Sequence, residues 1–137
     1  MGDLGITIFW SKSVNKDLNK FVDEYIALCG QLCQKAEDYT RENVVTHNRA
    51  VKKLNSLKER AHVDRDFAEK MYHALLTHND MYVRQDAATE CLFLNIHIAT
   101  SLEILKKISR GKERMTAMGA KRTLLIWEGK LDPKDPF

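Results

Sequence analysis

The chain of 137 residues, 44% of them hydrophobic, is long enough for one domain that buries a core without disulfides or a structural metal. Its formal net charge of +3 is too small to indicate nucleic-acid binding by itself. No apolar stretch reaches the roughly 18 residues that a membrane-spanning helix needs, and no cationic leader marks the chain for secretion, so we expect a cytoplasmic protein.

The distribution of prolines and glycines predicts an all-α fold. Pro133 and Pro136 both lie within the last five residues, so no proline interrupts a helix before them. Glycines are also sparse, and we expect Gly119 to mark a close crossing between two helices. About six helices with short connections predict antiparallel neighbours in a stack of helical hairpins.

Apolar residues that recur every three or four positions place these helices along the chain. A short extended arm, residues 1–14, is expected before the helical domain of residues 15–129, and residues 130–137 form a C-terminal tail. The predicted helices run from about Asn15 to Asp38, from Arg41 to Ala61, from Asp64 to His78, from Asp80 onward, from about Thr100 to Gly111, and from about Glu113 to Trp127.

Capping residues predict several helix ends. Asp64 and Asp80 are candidate N-caps of the third and fourth helices, since a carboxylate there accepts from free backbone N–H groups. The sequence from Thr100 to Glu103 is a capping box that should begin the fifth helix. Gly111 and Gly129 are placed to end the fifth and sixth helices.

The apolar stripes also predict the core. We expect Leu92, Leu105, Leu124 and Trp127 to share one core. The stripe of the second helix includes Asn48, whose amide we expect to bond to a neighbouring helix, because a buried amide without partners costs about 1–3 kcal/mol.

The cysteines predict buried, reduced thiols. Cys29 and Cys33 lie four apart, a spacing that stacks them on one helix face, and Cys91 is far away in sequence. The pair has the spacing of two metal ligands, but no second pair follows it. We expect no metal and no cofactor.

One segment resembles the second helix of a HEAT-like repeat. Within Asn79–Leu92 the chain has Asp80, then Val83 and Arg84, then paired alanines and a final leucine, in the order of that pattern. Asp80 is expected to cap the helix and to pair with Arg84 one turn later.

The wider layout, over about residues 15–129, is similar to a small bacterial family of HEAT-like domains of uncharacterised function. The resemblance implies a HEAT-like α-solenoid. Several small proteins of this kind resemble immunity proteins, which bind and neutralise a toxin encoded beside them, and the resemblance implies that role here. The arm at residues 1–14 departs from the family layout. The shared features are Asn48-Arg49, Leu54, Leu57, the segment from His78 to Leu92, Ala120, Leu124, Trp127 and Gly129.

The linear signatures of enzymes are missing from the sequence. There is no glycine-rich phosphate loop, no His-Glu-x-x-His and no Gly-x-Ser-x-Gly. His73 and His78 are five apart, which turns them to different sides of a helix and disfavours a shared metal. We therefore expect a binding protein with no catalytic residues.

Four carboxylates are the predicted partner-binding residues. Toxin nucleases are commonly basic because their substrates are anionic, so an acidic surface is the favoured contact. Asp86 and Glu90 lie four apart on the outward side of the fourth helix, where they repel each other without a partner. Asp66 and Glu69 are close to them in sequence, although the helix dipole also favours acids at a helix start. An ordinary solvated face is the alternative interpretation.

The basic C-terminal part of the chain predicts an alternative function, a nucleic-acid-binding helical-repeat domain. These cations would neutralise phosphates if folding brought them to one face, but aromatic residues are scarce among them. The sequence predicts no oligomeric state. The residues are Lys106, Lys107, Arg110, Lys112, Arg114, Lys121 and Arg122.

Overall fold

A computed structural model describes residues 18–32 and 41–134, and every regular element in these two ranges is an α-helix. The all-α prediction is confirmed for this part of the chain. The predicted arm, Cys33 and both ends of the predicted first helix lie outside it. None of the described helices is long and apolar enough to cross a membrane. The helices are α1 (18–32), α2 (Arg41–Val63), α3 (Arg65–Leu76), α4 (Met81–Leu94), α5 (Ile98–Ser109) and α6 (Arg114–Trp127).

The described residues fall into two compact units, with the boundary between Met71 and Tyr72 inside α3. In the first unit, Phe21 of α1 meets Phe67 of α3 edge-on, with ring centroids 5.3 Å apart. The guanidinium of Arg60, from α2, lies 5.1 Å from the Phe21 ring and 5.0 Å from the Phe67 ring. Aromatic and cation–π contacts therefore join the three helices at this point.

The buried stripe of α2 consists of Ala50, Leu54, Leu57 and Ala61, at the spacing of one helix face. Asn48, which was predicted to lie on the buried stripe and to bond to a neighbouring helix, is exposed. The prediction is wrong because Asn48 is two residues before Ala50, and side chains two apart project from different sides of a helix.

In the second unit α4 packs on α5, α5 packs on α6, and α4 also contacts α6. Gln85 of α4 donates a hydrogen bond from Nε2 to the carbonyl oxygen of Thr116 in α6, at 3.1 Å. A Cβ atom on residue 119 would lie only 2.8 Å from this Nε2 atom. Gly119 therefore leaves room for the Gln85 side chain at the contact between α4 and α6.

Asp80 caps α4 as predicted, and its Oδ1 accepts from the backbone N–H groups of Tyr82 (2.8 Å) and Val83 (3.2 Å). Arg84 does not form the predicted pair with Asp80. Its Nη1 donates instead to the carbonyl oxygens of residues 78 and 79, at 2.9 and 2.7 Å. The Asp80 carboxylate is occupied by the helix N–H groups, and Arg84 reaches carbonyls beyond the end of α3.

The capping box predicted from Thr100 to Glu103 is wrong, because α5 begins at Ile98 with His97 as its N-cap. Asn95 and His97 both have positive φ angles, +58° and +46°. Asn95 is the C-cap of α4, and its backbone N–H bonds to carbonyl oxygens of the last turn of that helix. This tight reversal starts α5 earlier, so Thr100 falls inside its first turn.

The predicted core is confirmed only in part. Leu92 and Leu105 are buried, but Leu124 is half-buried and Trp127 is 37% exposed. Trp127 is the last residue of α6, so no following turn of that helix covers its ring. Gly129, with φ +75°, ends the helix in the left-handed conformation as predicted.

Candidate functional site

The side of α4 opposite its buried residues carries two exposed aromatic side chains. Tyr82 is 37% exposed and Phe93 is 57% exposed, whereas Val83, Ala87 and Cys91 on the other side are buried. The two rings are about three helical turns apart along the same side. Large exposed aromatic groups arranged in this way are typical of protein-binding surfaces.

Asp86 and Glu90, two of the four predicted binding residues, lie along α4 between these two rings. Both carboxylates are half-buried, and each takes part in an interaction. The expectation that these two carboxylates have no partner is therefore wrong. We call Tyr82, Asp86, Glu90 and Phe93 together the α4 face.

Asp66 and Glu69, the other two predicted binding residues, are exposed on α3 in the first unit. The Asp66 Oδ2 atom lies 3.2 Å from Lys70 Nζ, and the Glu69 Oε1 atom lies 3.3 Å from Arg65 Nε. Each carboxylate is thus neutralised by a cation one turn away. Exposed pairs of this kind add little stability, and here they weaken the negative potential of this part of α3.

Five of the predicted basic residues are exposed at the end of α5 and in the segment that leads into α6. Lys106 and Lys107 lie in the last turn of α5, Arg110 is its C-cap, Lys112 follows, and Arg114 begins α6. The helix dipole favours cations at a helix C-terminus, which accounts for the first three without a ligand. Exposed cations of this kind are able to contact phosphates.

The remaining two predicted basic residues lie on α6. Lys121 is exposed, and Arg122 is half-buried. Arg122 donates from Nη2 to the carbonyl oxygen of Pro133, at 2.7 Å, and so ties the segment after α6 to the helix. Arg122 therefore has a structural role that the sequence did not predict.

The described residues include histidines, cysteines and carboxylates, the side-chain types suited to catalysis or metal binding. Within residues 18–32 and 41–134, no three His, Cys, Asp or Glu side chains are grouped to hold a metal. His73 and His97 pack with ring centroids 5.9 Å apart. Cys29 and Cys91 are buried and form no disulfide within the described ranges, as predicted. Burial raises the pKa of Cys91 to about 12, which keeps the thiol protonated and unreactive near neutral pH.

Sequence reasoning missed Tyr82 and Phe93. Apolar residues at helical spacing usually lie in a core, so their spacing alone does not separate a core position from a surface one. The available signal was the spacing of Tyr82 and Phe93, about three helical turns apart, which places both on the same side of the helix as Asp86.

No protein-family model, no curated protein and no solved structure matches the chain.

Proposed function

We propose that the protein binds another protein through the α4 face and acts as an immunity protein that neutralises a cognate toxin by forming a tight complex. The observation that carries the proposal is the pair of exposed rings, Tyr82 and Phe93, on the same helix side as Asp86 and Glu90. Aromatic anchors supply much of the binding free energy in protein interfaces. The resemblance of Asn79–Leu92 to a HEAT-like repeat helix supports a HEAT-like α-solenoid. The wider similarity of residues 15–129 to a bacterial family supports a role in a bacterial cytoplasm.

The chemistry of the α4 face fits a basic partner surface. The rings exclude water when they pack against the partner, and the carboxylates increase the rate of association with a cationic surface. A nuclease toxin has such a surface around its substrate site, because its substrate is anionic. Covering that surface blocks the toxin sterically, so the inhibitor needs no catalytic residue.

Co-expression with a toxin encoded by the neighbouring gene tests this role. We expect the wild-type protein to restore growth and to co-purify with the toxin in equal amounts. Tyr82→Ala with Phe93→Ala should weaken the complex by about tenfold or more, because each ring loses its buried contact. Met115→Ala is the matched control, since Met115 is 80% exposed on α6 and lies outside the α4 face.

The possible outcomes test the immunity role and the α4 face separately. Failure of the wild-type protein to restore growth contradicts the immunity role. If the double alanine variant binds the toxin with wild-type affinity, the α4 face is not the binding surface. Asp86→Lys with Glu90→Lys should lower the association rate and make binding less sensitive to salt, while the helical content stays unchanged.

A second candidate function, nucleic-acid binding, is favoured by the exposed basic residues at the end of α5. If it is correct, the wild-type protein shifts DNA or RNA in a gel at low salt, and the affinity falls steeply as salt is raised. Charge reversal of Lys106, Lys107 and Arg110 should abolish the shift. Absence of a wild-type complex at micromolar protein and low salt rules this function out.

A further inference from the structure

We propose that a groove between the start of α4 and the second half of α5 binds a small aliphatic carboxylate. The carboxylate lies against Arg84 and Lys107, and its alkyl chain lies along apolar side chains. The site is separate from the α4 face and does not depend on the proposed immunity role. The groove has a volume of about 580 Å³ and is lined by Met81, Arg84, Glu103, Ile104, Lys107 and Ile108.

Arg84 is held in position by the loop between α3 and α4. Its Nη1 donates to the carbonyl oxygens of His78, at 2.9 Å, and Asn79, at 2.7 Å. The loop is itself fixed, because the backbone N–H of Asp80 donates to His78 Nδ1 at 3.0 Å. Since the guanidinium is already ordered, binding an anion costs little side-chain entropy.

The other edge of the Arg84 guanidinium remains available. Within the described ranges, its Nε and Nη2 groups donate to no acceptor, although the side chain is half-buried. These two N–H groups have the parallel arrangement that matches the two oxygens of a carboxylate. Lys107, on α5, supplies a second cation to the same groove.

The charges of the groove select the charge of the ligand. Arg84 and Lys107 are cationic and Glu103 is anionic, which leaves the lining with an excess of one positive charge. A carboxylate monoanion matches this excess. A phosphate dianion does not, and Glu103 repels the additional negative charge.

The apolar part of the groove selects the body of the ligand. Met81 and Ile104 are half-buried and Ile108 is buried, so their side chains offer a hydrocarbon surface beside the cations. The volume lies within the range of about 300–1,000 Å³ that is usual for small-molecule sites. A medium-length alkyl chain fits this surface and excludes water from it.

The site is tested with octanoate, followed by nuclear magnetic resonance of the full chain. We expect octanoate to shift the methyl signals of Ile104 and Ile108 and the Nε–H signal of Arg84. 1-Octanol, which has the same chain without the charge, should bind about tenfold more weakly, because it forms no charge-assisted hydrogen bond. Octyl phosphate at a pH where it is a dianion should also bind more weakly than octanoate.

Three variants complete the test. Arg84→Gln should weaken octanoate binding by about tenfold or more, and Lys107→Gln should weaken it by a smaller factor. Lys106→Gln is the matched control, since Lys106 is exposed beside Lys107 and does not line the groove, and it should bind octanoate like the wild type. If Arg84→Gln does not fold, the Lys107→Gln variant alone tests the site, because it keeps the hydrogen bonds from Arg84 to the loop carbonyls.

The proposal is overturned by any of four results. These are equal affinity for octanol and octanoate, tighter binding of octyl phosphate, octanoate affinity that is unchanged in Lys107→Gln, and no shift of the Ile104 and Ile108 methyl signals at millimolar octanoate.

Discussion

Replacing Leu92 with alanine is expected to lower the free energy of unfolding by about 2–5 kcal/mol, the usual loss for a buried leucine. Leu92 is 2% exposed and lies on the buried side of α4, in the unit where α4 packs on α5 and α6. The substitution removes apolar contacts and leaves a cavity, because the neighbouring side chains relax only in part.

The adjacent residue gives a matched control for this prediction. Phe93 is 57% exposed, so Phe93→Ala should change the free energy of unfolding by only about 0.5 kcal/mol or less, although it removes a larger side chain. Urea titration followed by circular dichroism measures both variants. A similar loss in the two variants would contradict the orientation of α4.

Alkaline pH is expected to destabilise the protein by a few kcal/mol through the thiol of Cys91. Burial raises the pKa of this thiol from 9.0 to about 12, the nearby Ser101 hydroxyl lowers the pKa in part, and the charge of Glu90 raises it. Between about pH 9 and pH 12 the folded protein keeps a proton that the unfolded chain releases, so the free energy of unfolding falls as pH rises. Below pH 9 both states are protonated and the effect vanishes.

A Cys91→Ala variant isolates this effect from other groups that titrate at high pH. Each pKa unit of difference between the two states corresponds to about 1.4 kcal/mol. Between about pH 7 and about pH 11, the wild type should therefore lose a few kcal/mol more than Cys91→Ala in urea titration. Equal losses would show that the Cys91 thiol ionises in the folded protein as readily as in the unfolded chain.

The helix ends that depend on one residue were predictable from the sequence. Asp80 caps α4 through its own side chain, and Asp64 accepts from the backbone N–H of Phe67, at 3.1 Å. Gly129 adopts the positive φ angle that other residues avoid. Each of these features involves atoms within one helical turn, so a short stretch of sequence contains the whole interaction.

Features that depend on packing were predicted less well. The start of α5 was missed because Asn95 and His97 both take positive φ angles, which is uncommon outside glycine. Asn48 and Trp127 were predicted to be buried because of their spacing alone. Spacing gives the side of a helix on which a residue lies, but it does not say which side another helix covers.

From the sequence alone, the described chain is predicted to be helical, most of its helices are located, and Asp86 and Glu90 are placed on the same side of α4. These results follow from periodicity and from caps, which are local. The exposure of Tyr82 and Phe93 beside them, and the bonds from Arg84 to the loop carbonyls instead of to Asp80, became visible only in the folded structure. Exposure and hydrogen-bond partners depend on how separate segments pack, because residues far apart in the chain supply the covering surface and the competing acceptors.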